Sequence, residues 1–167
     1  HLGAHGFWPQ HITINGDSAI SSYPVFCVNS PGGDKFKLSN LSPAIQNAYR
    51  KVVPFDTLEH AKHEWEKHGT CSGLTQEQYF SQLINYVIYK LPTPLALKQH
   101  KGKVVTFHTL ASWYKGANWV QLQCDYDPYT HKQYFAEART FWTKTGRRIT
   151  NPGLISSCKR RYPIYIS

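Results

Sequence analysis

The spacing of apolar residues changes partway along this chain, and that change limits the folds open to it. Tyr79, Phe80, Leu83, Ile84, Val87, Ile88 and Leu91 recur at three- and four-residue steps, which predicts a helix with one buried face. Thr75 and Gln78 supply a capping box at its start. Ser42-Pro43 predicts a shorter helix running to about Lys51, and Asp56 is placed to cap a second helix running to His68, with Gly69 as its terminator. One or two further helices are expected within residues 94–115. Asn118–Cys124 and Gln133–Trp142 then alternate and are rich in aromatic and β-branched residues, which predicts two strands joined by turn chemistry at Asp127-Pro128. Tyr162–Ile166 reads as a last strand, with Pro163 pointing to a sheet edge. Residues 1–12 read as the end of a strand stopped by Pro9, and residues 13–41 as mainly loop. Helices first and strands later predict an α+β fold, with helices packed on a central antiparallel β-sheet, in one domain spanning residues 1–167.

Composition narrows the function classes. Hydrophobic residues at 41% and charged residues at 17% exclude a disordered chain. No apolar run reaches transmembrane length, so membrane insertion is not expected. A net charge of +9 favours a polyanionic partner, and nine histidines are expected to add charge as pH falls below about 6.5. Cys27, Cys71, Cys124 and Cys158 are widely spaced without a C-x-x-C pair, which suggests two disulfides rather than a zinc ribbon; three pairings are open. Disulfides imply an oxidising compartment: extracellular, vacuolar or lysosomal, or periplasmic. The chain has no methionine and no secretory leader, so it is expected to begin after processing.

The second helix gathers the chemistry. At about 100° per residue, His60, His63, Glu64, Lys67 and His68 fall within roughly 140° of arc, while Leu58, Ala61 and Trp65 lie on the flank. A solvated face mixes lysine with glutamate but seldom collects three imidazoles. A zincin arrangement needs two histidines four apart, whereas His63 and His68 are five apart with Lys67 beside them; His60 and His63 could share a metal, but no further ligand cluster is obvious. No metal or other cofactor is therefore expected. Two imidazoles and a lysine suit a phosphodiester instead. Cleavage through a neighbouring hydroxyl needs a base, an acid, and cations around the developing charge. Glu64, one turn before His68, is placed to orient it or raise its pKa.

The run His63-Glu64-Trp65-Glu66-Lys67-His68-Gly69-Thr70-Cys71 resembles one active-site signature of the ribonuclease T2 family. His5-Gly6-Phe7-Trp8-Pro9 resembles the other. The resemblance implies a ribonuclease T2-like α+β fold and an endoribonuclease that cuts single-stranded RNA without metal through a 2′,3′-cyclic phosphate. It implies that His68 is the general base and His5 the general acid. It gives His63 the phosphate to hold, and Glu64 with Lys67 the transition state to stabilise. Trp8 would shape the base site, with Gln10 beside it in the substrate-binding set. For the cysteines it implies Cys27–Cys71, with Cys124–Cys158 as the other bond.

The chain departs from the family pattern in places. Phe7 stands for the usual leucine, and Gln10 stands where an acidic residue often follows, which leaves base preference open. His60 and Ala61 stand where the family often has aromatics before the helix signature, and His60 reads as an exposed imidazole in preference to a subsite residue. Arg147-Arg148 and Lys159-Arg160-Arg161 read as solvated charge. A secreted, monomeric ribonuclease is expected. The competing readings are a non-catalytic RNA- or glycan-binding protein on the same scaffold, and a metal-dependent phosphodiesterase.

Overall fold

The structure is a computed structural model that describes residues 5–15, 18–53, 57–90, 95–143 and 145–167. The chain divides into two compact units, His1–Ile12 with Ser21–Thr93 and Thr13–Ile20 with Pro94–Ser167. Strands β1 (His11–Asn15) and β2 (Ser18–Ser22) pair as a two-stranded sheet. Among the described residues no strand precedes Pro9: residues 5–10 are irregular, β1 starts at His11 and extends into what read as loop, and the part of the expected strand in residues 1–4 lies outside the described residues.

The first unit is helical. Helix α1 (Pro43–Val52) starts where the Ser42 side chain accepts a bond from the Ile45 amide. Helix α2 is Thr57–Lys67; Asp56, its expected cap, lies outside the described residues. Helix α3 (Gln76–Asn85) opens on the expected capping box, with Thr75 and Gln78 bonded reciprocally. Tyr79, Phe80, Leu83 and Ile84 are buried with Leu41, Tyr49, Val53, Ala61 and Trp65 in one core, and Phe7 packs against it. The apolar stripe does not stay buried to its end. Tyr86–Lys90 winds as a π-helix, whose wider turn rotates later residues off the α-helical face, and Ile88 is exposed. Leu91 lies outside the described residues.

Gly69 does not end α2 as a left-handed cap; it opens a 3-10 turn, Gly69–Cys71. A glycine is needed there because a Cβ would strike the six-membered ring of Trp65. That indole is fully buried, and its Nε1 donates to the Gly33 carbonyl at 2.9 Å.

The second unit holds short helices α4 (Leu95–Gln99) and α5 (Phe107–Ser112) and the strands β3 (Val104–Val105), β4 (Gln121–Asp127), β5 (Lys132–Arg139), β6 (Phe141–Trp142), β7 (Arg148–Ile149) and β8 (Ile164–Tyr165). The four-stranded sheet runs β3-β8-β5-β4. Its pairs are antiparallel except β5 with β8, which is parallel, so the fold is α+β with an antiparallel-dominated mixed sheet. The last strand is interior, not an edge: Pro163 precedes the paired residues Ile164 and Tyr165, so its missing amide costs the ladder nothing. Asp127 makes the expected turn, accepting from the Tyr129 amide at 2.9 Å. Arg148 is not solvated charge. It is half-buried, donating to the carbonyls of Tyr114 at 2.7 Å and Trp119 at 3.3 Å.

Each unit fastens a loop with a buried glutamine. Gln76 donates to the carbonyls of Gly32 and Lys35 and accepts from the Lys37 amide. Gln133 donates to the carbonyls of Lys159 and Tyr162 and accepts from the Lys159 amide. Both cysteine pairs are bonded as the resemblance implied, Cys27–Cys71 in the first unit and Cys124–Cys158 in the second. These bonds fit folding in an oxidising compartment. Among the described residues no helix is long and apolar enough to cross a membrane. Replacing Gln76 by leucine, close in volume, strands three backbone groups; chemical denaturation is expected to show a loss of about 2–4 kcal/mol. An unchanged midpoint would show that the loop is held by something else.

Candidate active site

The His5–Pro9 segment has no regular secondary structure, yet it is pinned at three points. Phe7 packs on the Tyr79 and Tyr86 rings with centroids 6.0 and 5.3 Å away. The Tyr79 hydroxyl donates to the Phe7 carbonyl at 2.6 Å. The Trp8 indole Nε1 donates to Glu64 Oε2 at 2.8 Å. Gly6 lies so close that a Cβ there would run into the Glu64 carboxylate and the Trp8 Nε1. A side chain at residue 6 is therefore excluded by contact, not by backbone conformation.

The far end of α2 is held from the other side. The Phe26 amide donates to the Lys67 carbonyl at 2.9 Å, and the Cys27 amide to Thr70 Oγ1 at 3.2 Å. Phe26 takes a left-handed backbone (φ 52°) to do so. With the Cys27–Cys71 bond, this sets Tyr23 against His68, ring centroids 5.7 Å apart.

Between these supports the expected residues converge. The His5 and His68 rings both pack on the Trp8 indole, at 5.0 Å edge-on and 5.1 Å stacked. His5 is half-exposed, while His68 is only 2% exposed. Glu64 is buried, with Oε1 4.0 Å from His5 Nε2 and 3.9 Å from His60 Nε2. His63 is exposed and Lys67 half-buried; both stand near enough to His68 to act on its titration. Gln10 is half-buried, two residues past Trp8 and just before β1.

Two sequence readings need correction. His60 is not an exposed imidazole: its side chain is 12% exposed, and its Nδ1 is 2.7 Å from the Tyr49 hydroxyl. The clue was its place on the α2 face, but its neighbour His5 is 55 residues away in sequence and no local pattern reveals it. Glu64 also does not raise the pKa of His68. Burial, then the positive charges of Lys67, His63 and His5, bring His68 down to about 4. Burial, then His5 and His63, brings His60 down to about 4 as well. Neither ring adds positive charge until pH approaches that value, so the expected gain of charge below about 6.5 does not extend to them.

Chemically, the cluster offers two imidazoles, His60 and His68, that stay neutral in mild acid, and one half-exposed imidazole, His5, beside a buried carboxylate. The Nδ1 of His68 is buried and has no hydrogen-bond partner among the described residues. An unpaired buried nitrogen is costly, and proton-transfer sites are where such groups persist.

The sequence model of the ribonuclease T2 family matches residues 1–158. A ribonuclease of Aeromonas hydrophila is 34% identical over 90 residues, 54% of this chain and 33% of that protein. Ribonuclease MC of Momordica charantia is 28% identical over 153 residues, 85% of this chain and 74% of that protein. Thus this chain spans about a third of the Aeromonas relative's length. Among solved structures, the self-incompatibility-associated SF11-RNase of Nicotiana alata superposes with a TM-score of 0.71 at 15% identity, over 98% of this chain and 84% of that one. Ribonuclease MC1 from bitter gourd seeds superposes with a TM-score of 0.63 at 21% identity, over 99% and 78%. At those identities the structural likeness concerns the fold.

The depressed histidines set a stability profile. Unfolded, His60 and His68 titrate near 6.5; folded, near 4. Their contribution is complete above about pH 6.5 and is lost as pH falls toward 4, because the unfolded chain takes up protons that the folded chain refuses. Thermal unfolding followed from about pH 7 to 4 is expected to show a loss on the order of 1–3 kcal/mol per histidine, and His60→Gln should flatten the slope. A wild-type curve level across that window would contradict both shifts.

Proposed function

The chain belongs to the ribonuclease T2 family, and we propose that it is a secreted endoribonuclease that cleaves single-stranded RNA by metal-independent transesterification. The observation that carries this reading is the pair of imidazoles packed on one indole, His5 and His68, beside the buried Glu64. Both belong to the first unit, and residues 1–167 are read together as a single, monomeric ribonuclease domain.

In this reading His68, neutral at working pH, takes the proton from the 2′-hydroxyl. The 2′-oxygen attacks phosphorus and the bond to the 5′-oxygen breaks. His5 protonates the leaving oxygen, and a 2′,3′-cyclic phosphate remains. His63 holds the phosphate, and Glu64, beside His5, stabilises the transition state together with Lys67. The Trp8 indole, stacked on His68 with Tyr23 nearby, offers a platform for the base, flanked by Gln10. DNA lacks the internal nucleophile and is not a substrate.

Three outcomes check this. Total RNA incubated with excess EDTA should yield cyclic phosphate ends, and loss of cleavage under chelation would overturn the metal-free reading. His5→Ala and His68→Ala should each lower the rate by about two to four powers of ten. The pH profile of kcat/KM should be a bell whose acid limb falls near 4, where His68 gains its proton. An acid limb near the ordinary histidine value would remove His68 from the role of buried base.

A further inference from the structure

We propose that His5, His60 and Glu64 form a binding site for a borderline divalent transition-metal ion of the zinc class, and that its occupancy switches the ribonuclease off. One ligand atom from each of the three residues lies within 4.8 Å of the others. Glu64 Oε1 stands 4.0 Å from His5 Nε2 and 3.9 Å from His60 Nε2. Tetrahedral zinc at about 2.0–2.1 Å from each ligand separates ligand atoms by roughly 3.3 Å, so both Glu64–imidazole distances must shorten by less than about 1 Å and the two imidazole nitrogens must approach by no more than about 1.5 Å. His5 is half-exposed and has the freedom to supply that movement.

The donor set selects the ion. Two imidazole nitrogens and one carboxylate oxygen suit zinc and its neighbours, with a fourth position left for water. Magnesium and calcium prefer all-oxygen sites. The surroundings are those of a supported metal site. The Tyr49 hydroxyl, 2.7 Å from His60 Nδ1, can accept the Nδ1 proton and so leave the Nε2 lone pair facing Glu64. Trp8 Nε1 holds Glu64 Oε2 at 2.8 Å, which keeps Oε1 turned toward the imidazoles.

Inhibition rests on the function proposed above. The ion takes the Nε2 lone pair of His5, and a nitrogen bound to metal carries no proton to give to the leaving oxygen. The metal therefore replaces the acid rather than assisting it.

The test separates binding from activity. Zinc chloride is titrated calorimetrically into the full chain at about pH 7, with no RNA present, and cobalt(II) is added separately to read tetrahedral coordination from its visible absorption. One ion per chain with micromolar or tighter affinity is expected. His60→Ala should weaken it by at least tenfold, and Tyr49→Phe, which keeps the packing, by about tenfold or more. His100→Ala, just after α4 in the other unit, should leave it unchanged. No zinc binding in the micromolar range, or equal affinity in wild type and both His60→Ala and Tyr49→Phe, overturns the site. Zinc should also inhibit RNA cleavage reversibly with EDTA. The half-inhibitory concentration, each protein measured against its own zinc-free rate, should rise in His60→Ala in step with the calorimetric affinity. Zinc that binds at this site but leaves cleavage unaltered overturns the switch. A chain that cleaves no RNA even without zinc defeats the proposed function instead, and the calorimetry still decides the site.

Discussion

The hydrogen bond from the Trp8 indole to Glu64 joins the two halves of the site. A carboxylate at 1% exposure cannot stay charged without compensation, and the indole N–H supplies part of it. The same contact draws an otherwise irregular segment onto α2. His5 is thereby set beside Oε1, and the indole face is turned to His68. Phe7, Tyr79 and the core beneath α3 make that arrangement rigid, because the segment's carbonyl and its neighbouring ring are both engaged. Site precision here comes from packing around an irregular segment, not from placing that segment in an element.

Much of this was legible in the amino-acid order, where the signal was local. Ser42-Pro43 and the Thr75–Gln78 box carry their start signals within four residues, and both helices begin there. The histidines of α2 lie one or two turns apart, so helical geometry alone grouped them. What depended on distant partners was not legible. Pro163 suggested an edge, but strand order is set by which segments pair, and β8 is flanked by β3 and β5. Gly69 looked like a terminator and is instead the floor under Trp65. Arg148 looked like surface charge, and only the carbonyls of Tyr114 and Trp119 explain its burial. His60 was legible as a member of the face but not as a neighbour of His5.

The family relationship fixes the scaffold more firmly than the local chemistry. Matches to proteins such as ribonuclease MC and the Nicotiana SF11-RNase establish an α+β ribonuclease T2 fold. Where an aromatic was expected from the family pattern, this chain carries an imidazole that is half-buried, bonded to Tyr49, and turned toward His5 and Glu64. Substituting an imidazole for an aromatic changes little in volume and much in coordination chemistry. Residue 60 thus adds a third imidazole to the group around Glu64 on a ribonuclease T2 backbone.

Gly6 carries a further lesson about which parts of the site are free to vary. A hydrogen atom is all that fits between the backbone there and the carboxylate–indole pair, so any heavier residue must evict one of the two. That inner wall admits no side chain, whereas residue 60, on the α2 face beside Glu64, has room for an imidazole. The contact at residue 6 locks the carboxylate and the indole against each other, so a change at residue 60 alters what faces Glu64 without disturbing that pair.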